Sequence, residues 1–205
     1  KNKMIGSQSL NSLAQNLNPA VKEALIEFSS ISTDTRSLKK GDCYIALIGD
    51  RFDGNDFLEV AAASGAVAVI CSRAVDIKIP SLVVEDTQLT LSAIAKENRV
   101  RSGATLIALT GSQGKTSVKE MLGLILSRNG KTLTTKANLN NTIGVPLTLI
   151  ELTGEEKFAV VEMGANAKGE IARSVGVTKP NIALITNANS AHLDGFGSYE
   201  GIVQA

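Results

Sequence analysis

The stretch from Ala104 to Leu126 constrains the fold of this chain more than any other. Ala104-Thr-Leu-Ile-Ala-Leu109 is a short apolar run of the kind that forms a buried strand. Thr110-Gly-Ser-Gln-Gly-Lys-Thr-Ser117 follows, a tight turn on Gly111 and Gly114. Val118, Met121, Leu122, Ile125 and Leu126 then recur at helical spacing. A strand that turns straight into a helix belongs to a parallel α/β arrangement, because the chain must cross back before it can pair again. The same junction makes an anion cradle. First-turn N–H groups have no partner inside the helix, the macrodipole adds positive potential there, and glycine lets the backbone approach a ligand closely. The residues Thr110, Gly111, Ser112, Gln113, Gly114, Lys115, Thr116 and Ser117 are therefore expected to hold a nucleoside triphosphate, with Lys115 on the terminal phosphates and the Thr116 hydroxyl on Mg²⁺. Leu109 stands where the longer phosphate-loop pattern has its first glycine, which separates this chain from the GTPases. The plainer alternative is a strand–turn–helix connection with a solvated lysine.

Composition suits that architecture. Of the 205 residues 43% are hydrophobic and only 3% aromatic, with no Trp, so the cores are built from Ala, Val, Ile and Leu, as in parallel sheets covered by helices. The formal net charge of +1 gives no footprint for nucleic acid or an anionic membrane. No apolar run approaches the ~20 residues that span a bilayer, and the polar N-terminus lacks a signal-peptide core. Cys43 and Cys71 lie in apolar strand-like stretches and read as buried thiols of a reducing compartment, which places the chain in the cytoplasm.

Two blocks are expected. Residues 1–103 form a small mixed α/β domain: helices over Ser9 to Leu17, Asp56 to Ser64 and Gln88 to Val100, and strands over Ile26 to Ser32, Cys43 to Ile48, Ala66 to Cys71 and Ser81 to Glu85. Residues 104–205 alternate regularly. Strands are predicted over Ala104 to Leu109, Lys131 to Thr135, Phe158 to Met163 and Ile182 to Thr186, with helices at Lys115, Val145 to Leu152 and Glu170 to Val175. Three of these strands read as buried on both faces, giving a doubly wound, mainly parallel phosphate-loop domain with its ligand at the carboxyl ends. Each strand there ends in chemistry: the glycine turn; Lys136 with Asn138, Asn140 and Asn141; Glu162; and Asn187 with Asn189 and His192. Glu162 is expected at the rim as a Mg²⁺ ligand. On spacing alone His192, the one histidine, reads as a structural or solvated residue, and its place just beyond a buried strand, on the same rim as Glu162, brings a functional reading level with that.

In that order, Thr110-Gly-Ser-Gln-Gly-Lys-Thr116, Asn138-Leu-Asn-Asn-Thr-Ile-Gly-Val-Pro146, Glu162-Met-Gly-Ala-Asn166 and Asn187-Ala-Asn-Ser-Ala-His-Leu-Asp-Gly-Phe-Gly197 resemble the Mur ligases. So do Ser32-Thr-Asp-Thr-Arg36, Gly41 to Leu47 and Asp50 to Phe57 in the first block. The resemblance implies an ATP-dependent amide ligase of peptidoglycan precursor synthesis working through an acyl phosphate, with UDP-N-acetylmuramoyl tripeptide and D-alanyl-D-alanine as small-molecule substrates, acting as a monomer. It implies catalytic roles for Lys115, Glu162 and His192, with Thr116, Glu162 and His192 near metal. It implies UDP-sugar contacts from Thr33, Asp34, Thr35 and Arg36, a loop of Asp53, Gly54 and Asn55, and a cleft lined by Asn138, Asn140 and Asn141. Asn55 stands where many family members have histidine. The family's further Rossmann-like domain and carbamylated lysine are expected past Ala205, so these residues alone are expected to bind but not to turn over, and Lys168 is expected on the surface. Two alternatives stay open: another ligase of the superfamily, such as a folylpolyglutamate synthase, and a non-catalytic nucleotide-binding module.

Overall fold

The computed structural model describes residues 3–9, 26–49, 52–189 and 193–203. The chain folds as two compact units, Lys1–Ile94 and Ala95–Ala205, and the division falls inside a helix and not in the 101–103 loop.

In the first unit the antiparallel pair β1 (Gln8–Ser9) and β2 (Glu27–Phe28) precedes β3 (Ile31–Ser32), β4 (Cys43–Ile45), and a hairpin of β5 (Ile48–Gly49) and β6 (Phe52–Asp53). A 3₁₀ turn, Gly54–Phe57, leads into α1 (Leu58–Ala63), followed by β7 (Ala68–Cys71) and β8 (Ser81–Val83). Strands β3, β4, β7 and β8 form one parallel sheet in that order. Tyr44, Ala46, Leu58, Ala61, Val69 and Cys71 make its core. Ser9 lies in a strand and not at the start of a helix; residues 10–25, where the rest of that helix was expected, lie outside the described residues. The continuous strand expected over Ile26 to Ser32 is two short strands, broken by the bend at Ser29.

Helix α2 (Thr87–Arg101) begins where Asp86 Oδ1 accepts from the Gln88 and Leu89 N–H groups, at 2.7 and 2.9 Å, the usual satisfaction of first-turn donors. The second unit continues through β9 (Thr105–Thr110), α3 (Lys115–Ser127), β10 (Thr132–Thr134), α4 (Gly144–Ile150), β11 (Phe158–Glu162), α5 (Glu170–Thr178), β12 (Ile182–Ile185), α6 (Leu193–Phe196) and α7 (Tyr199–Val203). Its four strands are all parallel, in the order β10-β11-β9-β12. Connections leaving the central strands β9 and β11 run in opposite directions, which opens a crevice at their carboxyl ends.

Two expectations need correcting. Strands β9 and β11 are buried along most of their length, but β12 is exposed throughout, with Ile185 68% accessible. It is the edge strand, bonded only to β9 among the described residues. On α3, Met121 and Ile125 face solvent, while Lys119 and Gly123 are buried and Leu122 and Leu126 pack on Ile107, Leu109 and Val160. Spacing alone allowed either neighbouring stripe, and the sheet takes the one carrying a lysine. Among the described residues no helix is long and apolar enough to cross a membrane.

Candidate functional site

At the end of β9 the backbone turns through Gly111, whose φ of +136° disfavours any L side chain. A Cβ there would stand 2.2 Å from Thr186 Oγ1. Gly114, left-handed at φ +78°, is the residue from which α3 starts. Lys115 bends back over the turn, its Nζ 2.5 Å from the Gly111 carbonyl. The loop is laced to the end of β12. The Asn187 side chain accepts from Gln113 N–H at 3.0 Å and donates to Gln113 C=O at 3.1 Å, and the Asn187 carbonyl accepts from Ser112 N–H at 3.1 Å. Thr186 Oγ1 also donates to Gln113 C=O at 2.6 Å, and Asn189 meets the Ser112 hydroxyl with both its backbone N–H and C=O.

Beside this turn β11 delivers Glu162, which is buried at 2% accessibility and not on the rim as its place before a glycine suggested. The 138–141 loop and the first turn of α3 cover it. Asn140 Nδ2 donates to Glu162 Oε1 at 2.8 Å, and Thr116 Oγ1 lies 3.4 and 3.2 Å from the two carboxylate oxygens. Lys119 Nζ stands 3.9 Å from Oε2. The backbone is pinned too: Glu162 N–H donates to Thr135 Oγ1 at 2.9 Å, and Gly164 N–H to the Asn140 carbonyl at 2.7 Å.

These are hard oxygen donors. Octahedral Mg²⁺ with ligands at about 2.0–2.1 Å spaces neighbouring oxygens at about 2.9 Å, so the Thr116–Glu162 separation suits a shared cation. Thr110, Gly111, Ser112, Lys115, Asn140 and Asn141 line a cavity of about 570 Å³, of a size that takes a small-molecule ligand. Asn138 lies exposed on the same loop. Asn141 has a local duty: its Oδ1 accepts from Gly144 N–H at 2.7 Å and from Ile143 N–H at 3.2 Å, capping α4. His192 lies outside the described residues. Lys168 is exposed.

The first unit carries the other group. Thr33 and Thr35 are half-buried in the turn after β3. Arg36 grips both oxygens of Asp34, Nε on Oδ1 at 2.9 Å and Nη2 on Oδ2 at 2.7 Å, and this hydrogen-bonded pair raises the guanidinium above its ordinary value. Tyr44 reaches the Gly54 carbonyl at 3.2 Å, and burial, with Asp34 and Asp53 nearby, pushes its hydroxyl up to about 12. The Thr33–Arg36 turn and the Asp53 loop thus flank one tyrosine. Gly54 is buried, with room for no Cβ beside the Leu47 backbone. Asn55 is also buried, and its amide is consumed internally by Asp53 Oδ1 at 2.6 Å, Ser72 Oγ at 3.0 Å and Ser72 N–H at 3.1 Å. The Asn55 hydrogen bonds, backed by Arg73, hold the Asp53 carboxyl below its ordinary value.

Sequence reasoning missed Lys119, Thr135 and Arg73. For Lys119 a signal existed: it falls on the stripe with Leu122, Gly123 and Leu126, a charge interrupting an apolar helix face.

Comparison with known proteins bears on the whole chain. Residues 27–114 match the model described as Mur ligase family, catalytic domain, and residues 109–205 the Mur ligase middle domain. The chain belongs to the Mur ligase family. Within that family it is 49% identical over 199 residues to the UDP-N-acetylmuramoyl-tripeptide–D-alanyl-D-alanine ligase of Escherichia coli (strain K12), covering 97% of this chain and 44% of that protein. Its fold superposes on the crystal structure of MurF from Acinetobacter baumannii with a TM-score of 0.90 at 40% identity, across 98% of this chain and 45% of that one. MurF from Thermotoga maritima in complex with ADP matches at a TM-score of 0.80 and 33% identity, over 85% and 41% of the two chains. The chain thus spans less than half the length of these relatives.

Proposed function

We propose that the protein is an ATP-dependent amide ligase that joins D-alanyl-D-alanine to a UDP-N-acetylmuramoyl tripeptide, as a monomer in the cytoplasm. The tripeptide carboxylate attacks the γ-phosphorus of ATP, forming an acyl phosphate and releasing ADP. The dipeptide amine then attacks the acyl carbon, and collapse of the tetrahedral intermediate expels phosphate and leaves the amide. Such chemistry is governed by positioning and charge stabilisation.

The residues present suit those demands. Lys115 and the amides of Gly111 to Ser117 meet the phosphates, which requires the Lys115 ammonium to leave the Gly111 carbonyl, 2.5 Å away. Thr116 and Glu162 would hold Mg²⁺, with Asn140 aiming the carboxylate; the ion, when bound, would supply positive charge against the phosphates. His192 would bind or orient a second metal ion near the acyl phosphate. In the first unit Thr33, Asp34, Thr35 and Arg36 bind the UDP-sugar with Asp53 and Gly54. Arg36 is already paired at the surface with Asp34, so exchanging that partner for a diphosphate costs little. Asn55 acts by holding Asp53 and not by touching the sugar.

The single observation that carries the proposal is the buried Glu162 carboxylate, held by Asn140 and faced by Thr116 beside the Gly111–Lys115 turn. The relative crystallised with ADP supports the choice of nucleotide. The test is to extend the chain to the length of its relatives and supply Mg-ATP, UDP-N-acetylmuramoyl tripeptide and D-alanyl-D-alanine. ADP, phosphate and the joined pentapeptide are expected in equal amounts, with Glu162→Gln reducing the rate at least about 100-fold. Hydrolysis of ATP without any joined product, whatever amine is offered, overturns the proposal in favour of a nucleotide-binding module.

A further inference from the structure

Among the described residues Lys119 is the largest side chain that the fold buries completely, at 1% accessibility. An ammonium in such a place is costly unless charge and hydrogen bonds offset it, and an apolar residue would serve packing alone at less expense. The lysine is brought there by close approach of α3 to β10: at Gly123, one turn further along, a Cβ would lie 2.7 Å from Thr134 Cγ2. From that position Nζ donates to the Thr135 carbonyl at 2.9 Å and pairs with Glu120 Oε1 at 2.9 Å. Thr135 in turn accepts the Glu162 backbone N–H on its hydroxyl, so one residue ties the lysine and the glutamate into a single unit.

The distance to the glutamate carries the inference. At 3.9 Å from Oε2, the ammonium is near enough to offset the carboxylate's charge yet takes up none of its lone pairs. Oε1 is taken by Asn140, and Oε2 faces the Thr116 hydroxyl. The carboxylate is held and charge-balanced, and its Oε2 is shared only with a hydroxyl on the first turn of α3, beside the phosphate turn.

We propose that Lys119 is a positioning residue that makes cation binding at Thr116 and Glu162 conditional on nucleotide. This rests on the nucleotide site proposed above. A divalent cation arriving alone meets one carboxylate whose charge is already partly offset by the buried ammonium behind it, which that carboxylate shares with Glu120. A cation arriving with a triphosphate brings its own anionic oxygens, and the same ammonium then adds to the attraction for the phosphates. The metal and nucleotide therefore bind together and not in turn.

Mn²⁺ titration followed by the electron paramagnetic resonance signal of the free ion tests this, using the protein with and without a nonhydrolysable ATP analogue. The wild type is expected to bind Mn²⁺ at least tenfold more tightly with the nucleotide than without. Lys119→Met is expected to raise affinity for Mn²⁺ alone about tenfold and shrink that coupling below threefold, while Lys119→Arg retains it. A coupling within twofold of wild type in Lys119→Met, or a uniform loss of both affinities, makes the lysine a structural pin and overturns the proposal. If Lys119→Met does not fold, Lys119→Gln decides: it can still donate to the Thr135 carbonyl but carries no charge, and is expected to shrink the coupling below threefold; a coupling within twofold of wild type refutes the assignment. Tight Mn²⁺ binding by the wild type without nucleotide also refutes it, with the nucleotide site left standing. Failure of the wild type to bind nucleotide at all removes both.

Discussion

Arg99 offers the sharpest test of how the second unit holds its edge strand in place. The side chain is buried at 7% accessibility and spends its donors on the far side of the domain. Nε reaches the Thr178 carbonyl at 2.9 Å, and the terminal nitrogens reach Asn181 Oδ1 at 2.9 Å, Ser102 O at 3.2 Å and Lys179 O at 3.3 Å. Of these acceptors the Thr178 and Lys179 carbonyls close α5, whose terminating residue Lys179 is left-handed at φ +42° without being glycine. Asn181 then exchanges bonds with Leu106 in both directions, at 2.8 and 2.9 Å, which fixes where β12 starts on β9. Arg99→Met keeps most of the stem and removes the donors. Counting only the two 2.9 Å bonds, at about 1.5 kcal/mol each for a charged donor, the cost is about 3 kcal/mol. For a chain of 205 residues that is a fall in Tm of about 6–12 °C. Urea and thermal unfolding by circular dichroism read it, with Arg101→Met as the control. Arg101 pairs with Glu97 one turn away on the exposed face, and its loss is expected to cost under about 1 kcal/mol. If Arg99→Met melts within 2 °C of that control, the carbonyls at the end of α5 do not depend on the guanidinium, and the account of the edge strand fails.

The remaining predictions are shorter. Gly111→Ala places a methyl group 2.2 Å from Thr186 Oγ1 at a positive φ, so Mg-ATP affinity measured by calorimetry is expected to fall at least about tenfold, with a stability loss of about 1–3 kcal/mol; wild-type affinity would show that the turn does not touch nucleotide. Burial alone would raise the Glu156 carboxyl, but the Thr153 N–H and the Lys131 ammonium outweigh it and hold the group below its ordinary value. A lowered carboxyl stabilises the fold above its unfolded value and loses that contribution as pH falls, so stability is expected to drop from about pH 5 to pH 3, and Glu156→Gln to flatten that acid limb in urea titrations. Burial raises both Cys43 and Cys71, the former helped by Asp42; a thiol reagent is expected to modify neither in the folded protein and both in urea, and fast native labelling would contradict their placement.

How much of this was legible beforehand depended on where each signal resided. The glycine turn declared itself because strand, glycines and lysine are contiguous, and α3 begins at Lys115 as the pattern requires. Elements of the second unit emerged near their expected bounds because long apolar runs over Ile107 and Val160 leave one economical packing. Resolution was lost where structure arises from pairing between distant segments. Ile26 to Ser32 reads as one strand, yet Phe28 pairs with Gln8 while Ile31 pairs with Cys43, so two different partners split it. Exposure of β12 was illegible for a similar reason. Apolar content states that a strand can be covered, whereas coverage is a property of its place in the sheet, and β12 is at the edge.

The burial of Glu162 carries the same lesson into the site. Its position at the end of β11, before Met163 and Gly164, was expected to leave the carboxylate at the rim. It is covered because three separate segments converge on it: Asn140 from the loop after β10, Thr116 from the first turn of α3, and Lys119 one turn deeper. Each of these residues has an unremarkable local explanation when read alone, as a loop amide, a helix-start hydroxyl and a helix-surface cation. Only together do they make a carboxylate that is buried, aimed and charge-balanced. The parallel sheet is what makes that convergence cheap, since it delivers the carboxyl ends of β9, β10 and β11 to one edge and leaves only the side chains to be chosen.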